Sequence, residues 1–280
     1  MRPDLPNYKK PPVVEVALSV QFEQLTEMRT HHVGLLWAEY RDRFPNVEEN
    51  PLLEPVFETF LNTSKPLPRP RLTLRISESP EFPRCWFLNP EKTRLIQVQN
   101  DRFIYNWRKV EGDEIYPRYE NVRDNFLKEL HIFTSFIERE KLGEVKPNHC
   151  DVTYVNSIPT EDEIFDHAMV GKVIKILAFN YGNDANIFNL NHEDARLYVR
   201  YLIPDSEGEP CGRLHISFEP LYRSKDGQPI FLLKLTARGA PDPDDINGVV
   251  NFLDSGREHI VNGFTAWTTE FMHEKWERTR

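Results

Sequence analysis

The sequence lacks the features that mark several large classes of protein. It has only three cysteines, Cys85, Cys150 and Cys211, and their wide spacing suits a reducing compartment better than a disulfide scaffold. No apolar run approaches the roughly 20 residues that a membrane span requires. Residues 1–12 carry charges and prolines where a secretory signal needs an apolar stretch. We therefore expect a cytoplasmic protein that does not enter a membrane.

Motifs that carry catalytic chemistry are also missing. The chain has only 12 glycines, and neither the phosphate-loop pattern nor G-x-G-x-x-G nor G-x-S-x-G occurs. The best candidates for metal ligands are His149-Cys150-Asp151, with His31-His32 and His192-Glu193 as distant partners. Adjacent strand residues point to opposite faces, however, and the spacing matches no common zinc site. We predict no catalytic residue, no metal and no cofactor, and an enzyme with an unrecognised active site remains an alternative.

What the chain does contain is enough apolar and aromatic residues for a packed core. A length of 280 residues is typical of one large or two ordinary domains. The composition, 39% hydrophobic and 12% aromatic, is enough for a packed core. The formal net charge of −9 disfavours non-specific binding of nucleic acid through the whole surface. A local cationic surface is compatible with that average, so the distribution of the charges along the predicted elements must show whether one exists.

The order of predicted elements occurs twice along the chain. Residues 12–142 read as a strand, a short helix, several strands and a long amphipathic helix, and residues 147–277 repeat that order. The first copy has strands at 13–22, 71–77, 84–88, 94–99 and 102–109, a helix within 26–44, a Pro-rich connection at 51–70 with a candidate strand at 56–61, and a long helix after Pro117. The second has strands at 150–158, 195–203, 212–221 and 230–238, a helix at 161–177 and a last helix after Asp245 that runs almost to the end.

These patterns predict an α+β fold with an internal duplication. Each unit is a strand, a helix, three to four strands and a long helix, and the long helices pack on one face of an antiparallel sheet. The first repeat spans residues 1–146 and the second spans 147–280. Because the join around Gly143 to Pro147 is short, we expect the two repeats to associate tightly.

Several segments resemble one family over nearly the whole chain. They are Pro11 to Val16, Ile96 to Phe103 with Asn106-Trp107-Arg108, Tyr116 to Tyr119, Tyr154 to Ile158 and Ile260 to Trp276. The family is a sporadically distributed group of uncharacterised bacterial proteins of about this length. The resemblance implies that the protein is encoded on a mobile element or belongs to a toxin–antitoxin or phage-defence locus. It identifies no catalytic residue. The element order also resembles the duplicated helix-on-sheet folds related to the TATA-binding protein, which is an analogy of fold alone.

One set of charges stands out on the predicted strands. If the apolar strand residues meet the helices, their alternating partners share the other face. Those partners include Arg75, Arg108, Arg196, Arg200, His215, Lys234 and Arg238, set against Glu15 and Glu219. One interpretation is an ordinary solvated sheet face, on which Arg and Lys discourage association. The other is a platform for an anionic partner, because the planar donors of arginine meet phosphate or carboxylate in pairs.

The function expected from these observations is binding rather than catalysis. We predict a non-catalytic interaction protein that holds another protein on this cationic face or in the groove between its halves. The resemblance makes it a regulatory or neutralising component of a bacterial phage-defence or toxin–antitoxin locus. The alternative is binding of nucleic acid or a nucleotide by the same face, with Tyr105, Trp107 or Tyr198 available to stack if the strand phase is reversed.

Overall fold

A computed structural model describes residues 5–60, 82–161, 163–164, 166–177 and 193–280 of the chain. Within these ranges the protein has an α+β fold, in which nine strands form one antiparallel sheet and five α-helices accompany it. The strands are β1 (Val13–Phe22), β2 (Asn46–Asn50), β3 (Arg84–Leu88), β4 (Arg94–Gln99), β5 (Arg102–Arg108), β6 (Pro147–Pro159), β7 (Leu197–Pro204), β8 (Pro210–Tyr222) and β9 (Pro229–Gly239). The helices are α1 (Thr30–Tyr40), α2 (Tyr119–Arg139), α3 (Val170–Val173), α4 (Ile246–Trp267) and α5 (Glu270–Lys275).

The sheet runs in the order β2-β3-β4-β5-β1-β6-β9-β8-β7. Strands β1 and β6 pair at its centre, with Leu18 opposite Val152 and Val20 opposite Cys150. The strands that precede β6 in sequence therefore lie on one side of this pair, and those that follow it lie on the other. The pairing makes the sheet continuous across the two halves of the chain.

Alternating apolar residues explain why the central strands form. In β1, Val16, Leu18, Val20 and Phe22 are buried, as the alternation at 13–22 predicts. The predicted tight turn at Asn100-Asp101 is also confirmed, because Gln99 at the end of β4 pairs with Arg102 at the start of β5.

The long helices carry the predicted apolar stripes. In α2, Phe126 and Phe133 are fully buried, and the Phe133 ring lies 5.7 Å from that of Phe22 and 5.3 Å from that of Phe103, centroid to centroid. Helix α2 contacts β1 and β5, whereas α4 contacts β6, β8 and β9. The start of α4 is capped by Asp245, whose carboxylate accepts from the N–H groups of Asn247 and Gly248.

A glycine lets α4 approach the sheet closely. A Cβ atom at Gly256 would lie 2.9 Å from a methyl group of Val152 and 3.0 Å from the Cβ of Ala237. The helix therefore meets β6 and β9 at a distance that a larger residue would prevent. The same glycine lowers the intrinsic helix stability, so packing against these strands must hold the helix in place.

The helix predicted at 161–177 is wrong over most of its length. Among the described residues of this range only Val170–Val173 is α-helical, between short 3₁₀ turns at His167–Met169 and Lys175–Leu177. Gly171 and the β-branched residues Val170 and Val173 have low helix propensity. Ile174 then adopts an extended conformation and forms a β-bridge with Thr268.

The last helix also differs from the prediction, because it is two helices. Thr268 is extended and ends α4, and its hydroxyl donates to the carbonyl of Phe264. Thr269 caps α5 by accepting from the N–H of Met272. Phe271, which the pattern placed on one continuous stripe, is only partly buried on α5.

One further strand prediction differs from the structure, and another cannot be compared with it. Residues 51–60 form no strand, so the candidate strand at 56–61 is wrong over its described part, and β2 forms instead at Asn46–Asn50. The strand predicted at 71–77 lies outside the described residues. In the described part of the 56–61 segment, the N–H groups of Val56 and Glu58 donate to the side chains of Gln21 and His149 instead of to the backbone of a neighbouring strand, which explains the missing strand.

We expect Phe133→Ala to lower the free energy of unfolding by about 3–5 kcal/mol, because it removes a fully buried ring between α2 and the sheet. Ile115→Ala is the control, since Ile115 is 89% exposed and its loss should change stability by less than about 0.5 kcal/mol. Denaturant unfolding monitored by circular dichroism measures both. A loss below about 1 kcal/mol for Phe133→Ala would contradict the packing described here.

Candidate polar-face binding site

Strand register brings polar side chains from six strands to one face of the sheet. Residues that are directly opposite in neighbouring strands point to the same side. One row across the sheet contains Asn106, Ala17, Thr153, Thr236, His215 and Arg200. The next row contains Arg108, Glu15, Val155, Lys234, Ser217 and Tyr198. We call the side that carries these rows the polar face.

Residues 51–60 run across one end of the polar face as an extended segment held by side chains of the sheet. Gln99 makes a paired contact with Leu53, because its amide oxygen accepts from the Leu53 N–H (3.0 Å) and its amide nitrogen donates to the Leu53 carbonyl (2.9 Å). Gln21 accepts from the N–H of Val56 (3.0 Å), and Arg102 donates to the carbonyl of Glu54 (3.1 Å). Amide and guanidinium groups of the sheet therefore bind the backbone of this segment.

The carboxylate of Glu58 fixes the far end of the segment. It accepts from Arg213 and from His215, whose Nε2 lies 2.7 Å from Glu58 Oε1, and the Glu58 side chain is only 6% exposed. Arg213 also donates to the carbonyl of Thr59 and lies over the ring of Phe60, 4.7 Å from its centroid. We call these contacts of Glu58 with Arg213 and His215, and of Arg213 with Phe60, the Glu58 clamp.

Electrostatics favour the ionised form of Glu58. Burial alone would raise the pKa of this carboxyl, but the hydrogen bonds from His215 and Arg213 outweigh it and lower the pKa to about 2. The Glu58 N–H donates to Nε2 of His149 (2.9 Å), which requires a neutral ring. Burial lowers the pKa of His149 and so favours that neutral form.

The structure gives the predicted cationic residues different surroundings. Arg238 lies opposite Asp151, with Arg238 Nε 3.9 Å from Asp151 Oδ2, and His215 belongs to the Glu58 clamp. The guanidinium of Arg108 lies over the ring of Trp86, and its Nε donates to the carbonyl of Lys92. These three side chains therefore already have partners in the folded chain.

The other predicted residues divide into an exposed group and one outside the described structure. Arg196 directly precedes β7, Arg200 lies within it and Lys234 lies in β9; all three side chains are exposed. Within the described ranges none of the three has an ion-pair partner. Arg75 lies outside the described residues.

Of the residues that hold the segment 51–60, sequence reasoning had placed only His215 on this face. Arg213 and Arg102 could have been found, because they alternate with Leu214 and Phe103 in the same strands as the predicted residues. Glu58 could not be found in this way, since it precedes Arg213 by 155 residues and no local pattern links them. The sequence placed Glu58 in the connection 51–70 but within the candidate strand at 56–61, which the structure does not have over its described part.

The described residues show little of the chemistry that nucleophilic or metal catalysis requires. No group of three or more His, Cys, Asp or Glu side chains among them could hold a metal ion. His149 faces the segment 51–60, whereas the neighbouring Cys150 is buried on the other side of β6. Burial raises the pKa of the Cys85 thiol to about 11 and that of Cys150 well above its usual range, which makes both poor nucleophiles.

No helix in the described part of the chain is long and apolar enough to cross a membrane. Comparisons of the chain with protein-family models, with curated proteins and with solved structures find no match. The contacts of the polar face are therefore the observations that bear on function.

We expect Glu58→Gln to release the segment 51–60 and to lower the free energy of unfolding by about 1–3 kcal/mol at neutral pH. The native carboxyl has its pKa lowered from 4.5 to about 2, so its contribution is complete above pH 4.5 and is lost as the pH falls through about 2. The difference between the two proteins should therefore shrink over that window.

Denaturant unfolding at a series of pH values measures this difference, and limited proteolysis within residues 51–60 reports the release directly. Glu209→Gln, in the exposed turn between β7 and β8, is the matched control and should change neither result. Equal stability of the native and Glu58→Gln proteins at neutral pH would contradict the clamp.

Proposed function

We propose that the chain is a non-catalytic binding protein that holds an acidic protein partner on its polar face. In this proposal it is the regulatory or neutralising component of a bacterial phage-defence or toxin–antitoxin locus. The locus rests on the family resemblance of the sequence. The binding mode rests on the chemistry of the polar face.

The observation that carries the proposal is the binding of residues 51–60 by this face. The segment is an extended peptide whose backbone pairs with Gln99, Gln21 and Arg102 and whose carboxylate is held by Arg213 and His215. A face that binds one acidic extended segment of its own chain has the groups required to bind another. Recognition of this kind uses main-chain hydrogen bonds for affinity and charged groups for selectivity.

The rest of the polar face offers cations for contact with a partner. Arg200 on β7, Lys234 on β9 and Arg196 just before β7 are exposed. Tyr198 lies between the two arginines in sequence, with 54% of its surface exposed. In a chain of net charge −9 such a concentration of cations is local, so it would orient an acidic partner toward this side.

Tyr198 also supports a second candidate, which is binding of single-stranded nucleic acid. An exposed aromatic ring flanked by arginines can stack on a base while the cations contact phosphates. Against it, the carboxylates of Glu15 and Glu219 lie on the same face, with Glu15 directly opposite Arg108 and Glu219 opposite Leu232. These carboxylates would repel any acidic partner close to them. We favour a protein partner because the amide group of Gln99 on this face binds the peptide backbone of Leu53 through both a donor and an acceptor.

The test is a double charge reversal, Arg200→Glu with Lys234→Glu, measured by titration with polyglutamate and with a single-stranded oligonucleotide. We expect polyglutamate binding to be lost and the thermal midpoint to change little, because exposed charges contribute little to folding. The control is Lys128→Glu with Lys141→Glu, which changes the net charge equally on and after α2. This control should retain binding.

The salt dependence of the same titrations separates the two candidates. A nucleic-acid site would bind the oligonucleotide more tightly than polyglutamate, and its affinity would fall steeply with salt as phosphates release counterions. Binding of neither polyanion, or equal loss in the control protein, would overturn the proposed function of this face.

We also propose that the sheet arises from two copies of one unit, residues 1–146 and 147–280, with their long helices on one side. The strand order supports this, since β5, β4 and β3 follow β1 outward as β9, β8 and β7 follow β6. Helices α2 and α4 follow β5 and β9 in sequence and contact them.

Superposition of residues 12–142 on 147–277 in an experimental structure tests the duplication. We expect β1, β4, β5 and α2 to match β6, β8, β9 and α4 in order and direction. A match that requires a different order of strands would contradict a duplication.

A further inference from the structure

A cavity of about 530 Å³ lies between the start of α2, the middle of α4 and the N-terminal residues 5–11. Its walls come from both halves of the chain, because Val13 and Tyr116 belong to the first half and Tyr154 and Arg257 to the second. The volume is within the range of about 300–1,000 Å³ that is typical of sites for small molecules. The cavity is separate from the polar face, whose residues do not line it.

Two tyrosine hydroxyls in this cavity share one hydrogen bond. The hydroxyls of Tyr116 and Tyr154 lie 2.9 Å apart, so one of them donates to the other and a second hydroxyl proton is left to donate elsewhere. Within the described ranges, neither hydroxyl has an acceptor other than its partner. Tyr154 is buried, with 6% of its surface exposed, and Tyr116 is half-buried.

Arg257 adds a cation with donors to spare. Its guanidinium lies over the ring of Tyr119, 5.2 Å from the centroid, and its nearest carboxylate is Glu120 at 3.6 Å. The Nε atom of Arg257 is buried and has no hydrogen-bond partner in the described part of the chain. That atom has almost no accessible surface, so a ligand in the cavity would meet the terminal nitrogens of Arg257. The guanidinium carries five N–H donors, and its contacts with Glu120 and with the hydroxyl of Tyr154 leave some of them available.

The remaining wall of the cavity is apolar. Val13, Ile260, Val261 and Phe264 line it, and Phe264 also packs edge-on against Tyr8. Two other arginines line the cavity: Arg118, which is already bound to Asn7 and to the carbonyl of Tyr8, and Arg280, which is exposed. Because two glutamates, Glu120 and Glu258, also line the cavity, it suits a single negative charge better than a doubly charged phosphate.

We propose that this cavity binds a small carboxylic acid with an aromatic or apolar body. Arg257 and the hydroxyl pair of Tyr116 and Tyr154 hold the carboxylate, and the body packs on Ile260, Val261 and Phe264. Arginine meets a carboxylate through two parallel hydrogen bonds, which a buried tyrosine hydroxyl can supplement. Because residues of both halves line the cavity, the bound acid would bridge them.

The test uses three probes of known chemistry: benzoate, its neutral isostere benzamide, and acetate, which lacks the body. Isothermal titration and NMR chemical shifts are measured on the full chain. We expect saturable binding of benzoate at millimolar concentration or below, at least tenfold weaker binding of benzamide and acetate, and shifts centred on Tyr116, Tyr154 and Arg257.

Arg257→Gln should weaken benzoate binding about tenfold or more, because it removes the charged partner of the carboxylate. Arg139→Gln, at the opposite end of α2, is the matched control and should leave the affinity unchanged. If Arg257→Gln does not fold, Tyr154→Phe replaces it, with an expected loss of about three- to tenfold.

The proposal is overturned if benzoate does not bind, if benzamide binds equally well, or if benzoate affinity is the same in the native protein and in the folded Arg257 or Tyr154 variant. It does not depend on the function proposed for the polar face. The charge reversal at Arg200 and Lys234 should leave benzoate binding intact, so failure of either proposal can be recognised separately.

Discussion

The antiparallel pairing of β1 with β6 is the constraint on which the rest of the structure depends. Hydrogen bonds between Val13–Phe22 and Pro147–Pro159 join strands from the two halves into one nine-stranded sheet. The rows of polar side chains cross this junction without interruption, from Arg108 through Glu15 and Val155 to Lys234. The cavity lined by Val13 and Tyr154 lies at the same junction. Without this pair neither candidate site would exist.

The polar face is a broad sheet surface that carries polar side chains from six strands. An uncovered apolar face would promote association, whereas a face of amides and guanidinium groups can bind water or a peptide backbone with similar hydrogen bonds. The segment 51–60 uses that property, since Gln99 offers a donor and an acceptor to the same residue, Leu53. Such contacts contribute modest net free energy each, so the segment is held by several of them together.

Local patterns predicted the elements whose residues alternate or repeat with a helical period. The strands β1, β3, β4 and β8, the helix α2 and the cap at Asp245 follow from burial and from backbone hydrogen-bonding needs that neighbouring residues express. The failures are places where distant residues decide. Ile174 lies in a segment with a helical pattern but forms a β-bridge with Thr268, and Glu58 forms an ion pair with Arg213 on a distant strand.

The candidate site was predictable only in part for the same reason. Alternation placed Arg108, Arg200, His215, Lys234 and Arg238 on one side of the sheet, and the strand register agrees with that placement. It could not show which of them are paired. Asp151 and Glu58 approach Arg238 and His215 only through the tertiary fold. The exposed cations are thus the ones that no distant carboxylate reaches within the described ranges.

Hydrogen exchange at single amides of the segment 51–60 tests the central claim, which is that the polar face binds an extended chain by its backbone. The N–H groups of Leu53, Val56 and Glu58 donate to Gln99, Gln21 and His149. Those of Phe57 and Thr59 have no acceptor in the described ranges. The account predicts slow exchange at the first three and fast exchange at the last two. Uniformly fast exchange at all five, as in an unstructured peptide, would contradict it.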